Sequence, residues 1–133
     1  MIINDPETLA AVRAAVDAYE AALMDNDVEA LDQVFWNDPR TVRYGVAENL
    51  YGFEAIAAFR LERAGGSPER LRLRTEITTF GRDFAIANVE FQRLGANRTG
   101  RQTQTWIRLD QGWKVASAHV SLLAEGLDQR VAR

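Results

Sequence analysis

The sequence predicts an α+β fold in which helices lead into a continuous antiparallel sheet. Three observations predict it. Up to about residue 60, apolar residues recur at steps of three and four. From Arg70 onward the period becomes two. Short turn-forming tracts, GRD, GANRTG and DQG, then cut the second half into long segments of similar length. A chain of 133 residues suits one core and leaves no room for a second.

Asp5-Pro6-Glu7 starts the first helix: an N-cap acid, a proline preset for the first turn, and an acid facing the helix dipole. Leu9, Val12, Val16, Tyr19 and Leu23 form its apolar stripe, which runs to about Asn26. Asp27 caps a second, shorter helix with Val28, Leu31, Val34 and Phe35 on its buried side. Asn37-Asp38-Pro39 stops it. Arg40 to Tyr44 reads as a short strand, Gly45 turns the chain, and Glu48 to Tyr51 returns. Gly52 opens a third helix through Phe53, Ile56 and Phe59, which AGGSP ends.

The segments LRLRTEITTF, FAIANVEFQRL, RQTQTWIRL and WKVASAHVSLL then form a four-stranded meander. Three helices, two short strands and four long strands are therefore expected. A sheet of this length twists and curves, so the helices cover its concave face and leave a conical cavity. The domain is expected to span residues 1–124. The tail 125–133 has little to bury.

The composition excludes several functions. The chain has no cysteine, so it offers no disulfide, thiol nucleophile or thiolate metal site. One histidine without a converging set of carboxylates gives no expectation of a metal centre, and none of a cofactor. No apolar run is long enough for a membrane span. MIINDPETLA lacks the basic and apolar blocks of a signal peptide, which fits a cytoplasmic location. A net charge of −3 argues against nucleic acid as a partner. Of 16 basic residues only Lys114 is lysine, and arginine is the better residue for bidentate capture of carboxylates. Genome composition is the plainer explanation of the excess as a whole.

The strong catalytic signatures are absent: no G-x-S-x-G elbow, Walker loop, H-E-x-x-H or G-x-G-x-x-G. Chemistry would fall to tyrosine, arginine, histidine and amide side chains. Tyr19 lies on the buried stripe, where its hydroxyl needs a partner: either a backbone carbonyl in the core, or a cavity in which the phenol serves as acid or base. Arg43 shares a strand face with Thr41, opposite Val42 and Tyr44, and is either solvated or a carboxylate clamp. His119 shares parity with Trp113, Val115, Ser117 and Ser121, as a core residue or a pocket residue. Gln102, Gln104 and Trp106 share one face, and Asn88 and Glu90 extend the polar trend on the neighbouring strand. A polar face on a central strand suggests a wet cavity or a subunit interface.

The blocks FWNDPRTVRYGVAENLYG, TTFGRDFAIANVEF, GRQTQTW and GWKVASAHVSLL together resemble the AtzH-like proteins. These include HpxZ-type proteins associated with oxalurate catabolism, within the nuclear-transport-factor-two-like, or cystatin-like, superfamily. The last two blocks are shared more loosely with SnoaL-like proteins and with the association domain of calmodulin-dependent kinases. The resemblance runs from about Ile3 to Leu123. It implies a curved sheet around the first helix, a conical pocket and a homodimer or larger assembly. It also implies work on small anionic ureido or carboxylate compounds beside an amidase. For the AtzH branch the implied reaction removes one N-carboxyl group from 1,3-dicarboxyurea and leaves allophanate. The family's pocket tyrosine and arginine fall on Tyr19, in AYEAAL, and Arg43, in TVRYG. Strand position places Gln104 and His119 in the pocket, and Trp36 and Asn88 complete the expected substrate contacts. A non-catalytic ligand-binding or oligomerisation module, accessory to the amidase, is the main rival. Proton-transfer chemistry in an apolar cone would need a carboxylate base, for which only Glu90 and Asp17 are candidates.

Overall fold

The computed structural model describes residues 1–63 and 65–124; the expected tail, 125–133, lies outside them. Helix α1 spans Pro6–Met24, α2 Val28–Val34 and α3 Phe53–Glu62, with strands β1 (Val42–Tyr44) and β2 (Asn49–Tyr51) between α2 and α3. Strands β3 (Arg70–Phe80), β4 (Phe84–Arg93), β5 (Thr99–Leu109) and β6 (Gly112–Leu122) follow. The expected order of elements is met throughout.

Local chemistry sets the helix starts. The Asp5 carboxylate accepts the Thr8 backbone N–H at 3.1 Å and the Thr8 hydroxyl at 2.8 Å, with Pro6 following it in the first turn. Asp27 accepts the Ala30 N–H at 3.1 Å and caps α2 in the same way. Gly52 at the start of α3 has φ +92°, a left-handed value that disfavours any side chain.

The six strands form one sheet in the order β2-β1-β6-β5-β4-β3. The meander β3 to β6 is antiparallel, and the β1–β2 hairpin attaches to β6 through a parallel pairing, Arg43 opposite Ala118. The helices cover one face. There Val12, Val16, Tyr19 and Leu23 of α1 and Leu31 of α2 meet Ile77, Ala85, Ala87, Trp106, Val115 and Ala118 of the sheet.

Two one-residue bulges decide which side chains reach that face. Between β3 and β4 the register steps from Arg72↔Phe91 to Arg74↔Glu90, leaving Leu73 extra. Before the step Arg70 turns toward the helices while Leu71 is exposed; after it Ile77 and Thr79 are the buried pair. Between β5 and β6 the register steps from Thr105↔Ser117 to Trp106↔Val115, leaving Ala116 extra. Val115 is therefore buried, and so are Ala118 and Val120, while Ser117 and His119 face outward.

Candidate functional site

A cavity of about 260 Å³ opens between the C-terminal half of α1, the β1–β2 turn, the end of α3 and strands β3 to β6. Tyr19 and Arg43 both line it, as the sequence suggests. Tyr19 reaches it because Val12, Val16, Tyr19 and Leu23 share one side of α1. Its ring packs edge-on against Phe35 at 6.1 Å, which fixes the phenol's direction. Arg43 reaches it because β1 alternates faces: Thr41 and Arg43 turn inward, and Tyr44 turns outward onto His119.

The Tyr19 hydroxyl ends a buried polar chain. Glu20 accepts two hydrogen bonds from Arg70, Nε to Oε2 at 2.9 Å and Nη2 to Oε1 at 2.7 Å. Arg70 Nη2 also donates to Gln102 Oε1 at 2.9 Å, and Gln102 Nε2 donates to Tyr19 Oη at 3.2 Å. A guanidinium can only donate, so the Gln102 carbonyl must face Arg70 and its amide N–H must face the phenol. Tyr19 therefore accepts from Gln102, and its own proton has no acceptor among the described residues. The chain leaves a phenolic O–H free to donate on the cavity wall. The Phe91 ring, 4.3 Å from the Arg70 guanidinium carbon, backs this chain. That ring fits because its cross-strand neighbour is Gly100, where a Cβ would lie 2.2 Å from Phe91 Cζ.

Arg43 is paired. Its Nη1 donates to Glu48 Oε1 at 3.0 Å, and its guanidinium lies 5.8 Å from the centre of the Phe59 ring. Glu48 folds back over Gly45, where a Cβ would sit 1.7 Å from Oε1, so the missing side chain admits the carboxylate. Arg63, whose guanidinium lies 4.7 Å from the centre of the same Phe59 ring, and Arg93, at the end of β4, also line the cavity. Burial, then the neighbouring Arg43 charge, holds Arg63 below the usual guanidinium range. Burial, then Arg70 and Arg98, does the same to Arg93. The cavity is thus electropositive, with a phenolic hydroxyl on its wall.

The other expected contacts lie elsewhere. Gln104 points to the helix-covered face but sits in the core, accepting the Trp106 indole N–H at 2.9 Å, with its own Nε2 unpartnered among the described residues. The glutamine that lines the cavity is Gln102, one strand repeat away. His119 is exposed on the outer face, its ring 5.5 Å from that of Tyr44, because the bulge at Ala116 inverts the parity carried from Trp113 and Val115. Asn88 is also outward, accepting the Thr103 hydroxyl at 2.7 Å. Trp36 is half-buried beside a different cavity of about 550 Å³, with Asp32, Phe53 and Lys114, and the Arg40 guanidinium covers its ring at 5.0 Å. Periodicity missed Glu20, Arg70, Arg63, Arg93 and Glu48. Glu20 follows Tyr19 on a helix that buries more than one stripe, and Arg70 turns inward only through a bulge. The one available signal was the arginine excess.

Among the described residues no group of His, Asp and Glu side chains could hold a metal ion, and no helix is long and apolar enough to cross a membrane.

Comparison with known proteins agrees with this architecture. A protein of unknown function from Pectobacterium atrosepticum is 50% identical, with a TM-score of 0.89, covering 92% of this chain and 95% of its own. A cystatin-like fold protein from Burkholderia xenovorans is also 50% identical, with a TM-score of 0.88, covering 93% and 98%. A nuclear-transport-factor-2-like superfamily protein from Salmonella enterica, 20% identical with a TM-score of 0.73 over 91% and 94%, shares the fold. No curated protein matches the chain. The AtzH-like family model matches residues 1–126, nearly the whole sequence and all of the cavity just described, so the chain belongs to the AtzH-like family.

Proposed function

We propose that the protein removes an N-carboxyl group from a dicarboxylated urea, converting 1,3-dicarboxyurea to allophanate. The observation that carries this reading is the Tyr19 phenol, which accepts from Gln102, has no acceptor for its own proton among the described residues, and lines a cavity shared with Arg43. A volume of about 260 Å³ is below the ~300–1,000 Å³ typical of drug-sized ligands and suits a small planar acid.

In the proposed step the bond between the ureido nitrogen and the carboxyl carbon breaks. Its electron pair goes to nitrogen, carbon dioxide leaves, and the Tyr19 proton moves to that nitrogen. One proton and the dianion give carbon dioxide and the allophanate monoanion, and water restores the phenol. Arg43 offers its remaining N–H groups to the charge developing on the ureido oxygen, which strengthens as the bond breaks. General-acid help of this kind is worth ~10²–10⁴ in rate.

The test is turnover of 1,3-dicarboxyurea by the purified protein, with Tyr19→Phe and Arg43→Ala beside it. Both variants should lose most activity; wild-type rates in both would end the proposal. No turnover together with stoichiometric co-purification of the amidase would assign the accessory, non-catalytic role instead. Self-association through the outer sheet face, where Tyr44, Tyr51 and His119 cluster, belongs to the same proposal and is read by light scattering.

A further inference from the structure

We propose that Arg63 and Arg93 form a second carboxylate seat, which makes the cavity a site for a dianion rather than for any small acid. This assignment rests on the reading above of the cavity as the substrate site.

The argument begins with charge. Four arginines line the cavity: Arg43, Arg63, Arg70 and Arg93. Glu48 neutralises Arg43 at 3.0 Å, and Glu20 neutralises Arg70 with two hydrogen bonds. Neither Arg63 nor Arg93 has a carboxylate partner within salt-bridge distance among the described residues. Two positive charges are left over, and a dicarboxylate carries two negative ones.

Placement supports the same conclusion. The two arginines come from separate elements, the end of α3 and the end of β4, so no local turn brings them together. The fold instead directs both onto one small space that Tyr19 and Gln102 also line. Both are partly buried next to other cations, and this lowers their proton affinity. Such an arrangement is unfavourable while empty and is relieved by an anion. Arg43, by contrast, already holds Glu48, so an incoming monoanion gains less there.

Titration calorimetry on the intact chain at low ionic strength tests this with glutarate and monomethyl glutarate. Glutarate has the same backbone length as 1,3-dicarboxyurea and is not turned over; its monoester is equally long but carries one charge. Because a hydrogen bond to a charged group is stronger than one to a neutral group, glutarate should bind roughly tenfold or more tightly. Arg63→Gln and Arg93→Gln should each bring the two ligands within about threefold of one another. Arg108→Gln, at a guanidinium that bonds Asp83 away from the cavity, should leave the preference intact. Equal binding of the two ligands by the wild type, or no binding of either, overturns the proposal. So does a preference that survives both glutamine variants. If neither variant folds, the wild-type ligand pair still decides. A chain that prefers glutarate yet releases no carbon dioxide from 1,3-dicarboxyurea would sink the catalytic reading and leave the dianion site standing.

Discussion

Gln102→Glu is the sharpest perturbation of the proposed proton donor. The substitution keeps the side chain's size and replaces an amide N–H by a carboxylate oxygen. In the native chain Gln102 Nε2 donates to Tyr19 Oη across 3.2 Å. In the variant the phenol must donate instead, and its proton is held away from substrate. A hydrogen bond to a charged acceptor is worth about 1.5–3 kcal/mol, and that bond must break before the proton can transfer. At ~1.36 kcal/mol per decade, kcat should fall roughly 10- to 150-fold. Arg70 Nη2, now 2.9 Å from the amide oxygen, remains to pair the added charge, so the variant should fold. The assay is carbon dioxide release at saturating 1,3-dicarboxyurea. Saturation matters because the extra negative charge also weakens dianion binding, which appears in KM. A kcat within about twofold of the native value would refute the claim that the phenolic proton lies in the barrier.

Three further outcomes are expected. Glu20→Ala leaves the Arg70 guanidinium, whose side chain is 5% exposed, without its carboxylate, so the urea midpoint should fall by an amount equivalent to about 3–5 kcal/mol. Gly100→Ala drives a methyl group into the Phe91 ring and should lose about 1–3 kcal/mol in the same measurement, with activity falling as the backing of Arg70 shifts. Hydrogen bonds from the Thr8 hydroxyl and backbone hold Asp5 below its ordinary carboxylate value of 3.8. Its contribution is therefore present above that value and lost as pH falls through the lowered one; Asp5→Asn, which keeps a capping side chain, should flatten the acid limb of a stability–pH profile.

Much of the architecture is legible in the sequence because it rests on local chemistry. Asp5-Pro6, Asp27, Gly52 and the three turn tracts act within a few residues of themselves; the helix starts fall where they imply, while β5 begins at Thr99 and β6 at Gly112, within the tracts GANRTG and DQG. Tyr19 and Arg43 are legible too, since each follows the plain period of its own element. What fails is parity carried across a bulge. A single extra residue leaves no mark on composition or hydropathy, yet it exchanges the two faces of everything beyond it. Ala116 sends His119 outward, and Leu73 brings Arg70 inward. The choice of Gln104 over Gln102 fails differently. Both point inward, and only the depth of the α1 packing, set by side chains from distant segments, tells cavity from core.

The parallel docking of β1 on β6 has a consequence for biosynthesis. The groups that meet around the cavity are far apart in the chain: Glu20 and Arg70 by 50 residues, Tyr19 and Gln102 by 83. Arg43 settles only when the last strand is available to receive β1. A nascent chain therefore emerges with its earliest helix already carrying a carboxylate and a phenol that have no partners. They stay solvated until β3 and β5, which carry Arg70 and Gln102, have been made, which is the regime in which long-range pairing folds slowly. Shortened products ending before β6 would lack Val115 and Ala118 from the core and have no strand to receive β1, making them natural clients for chaperones.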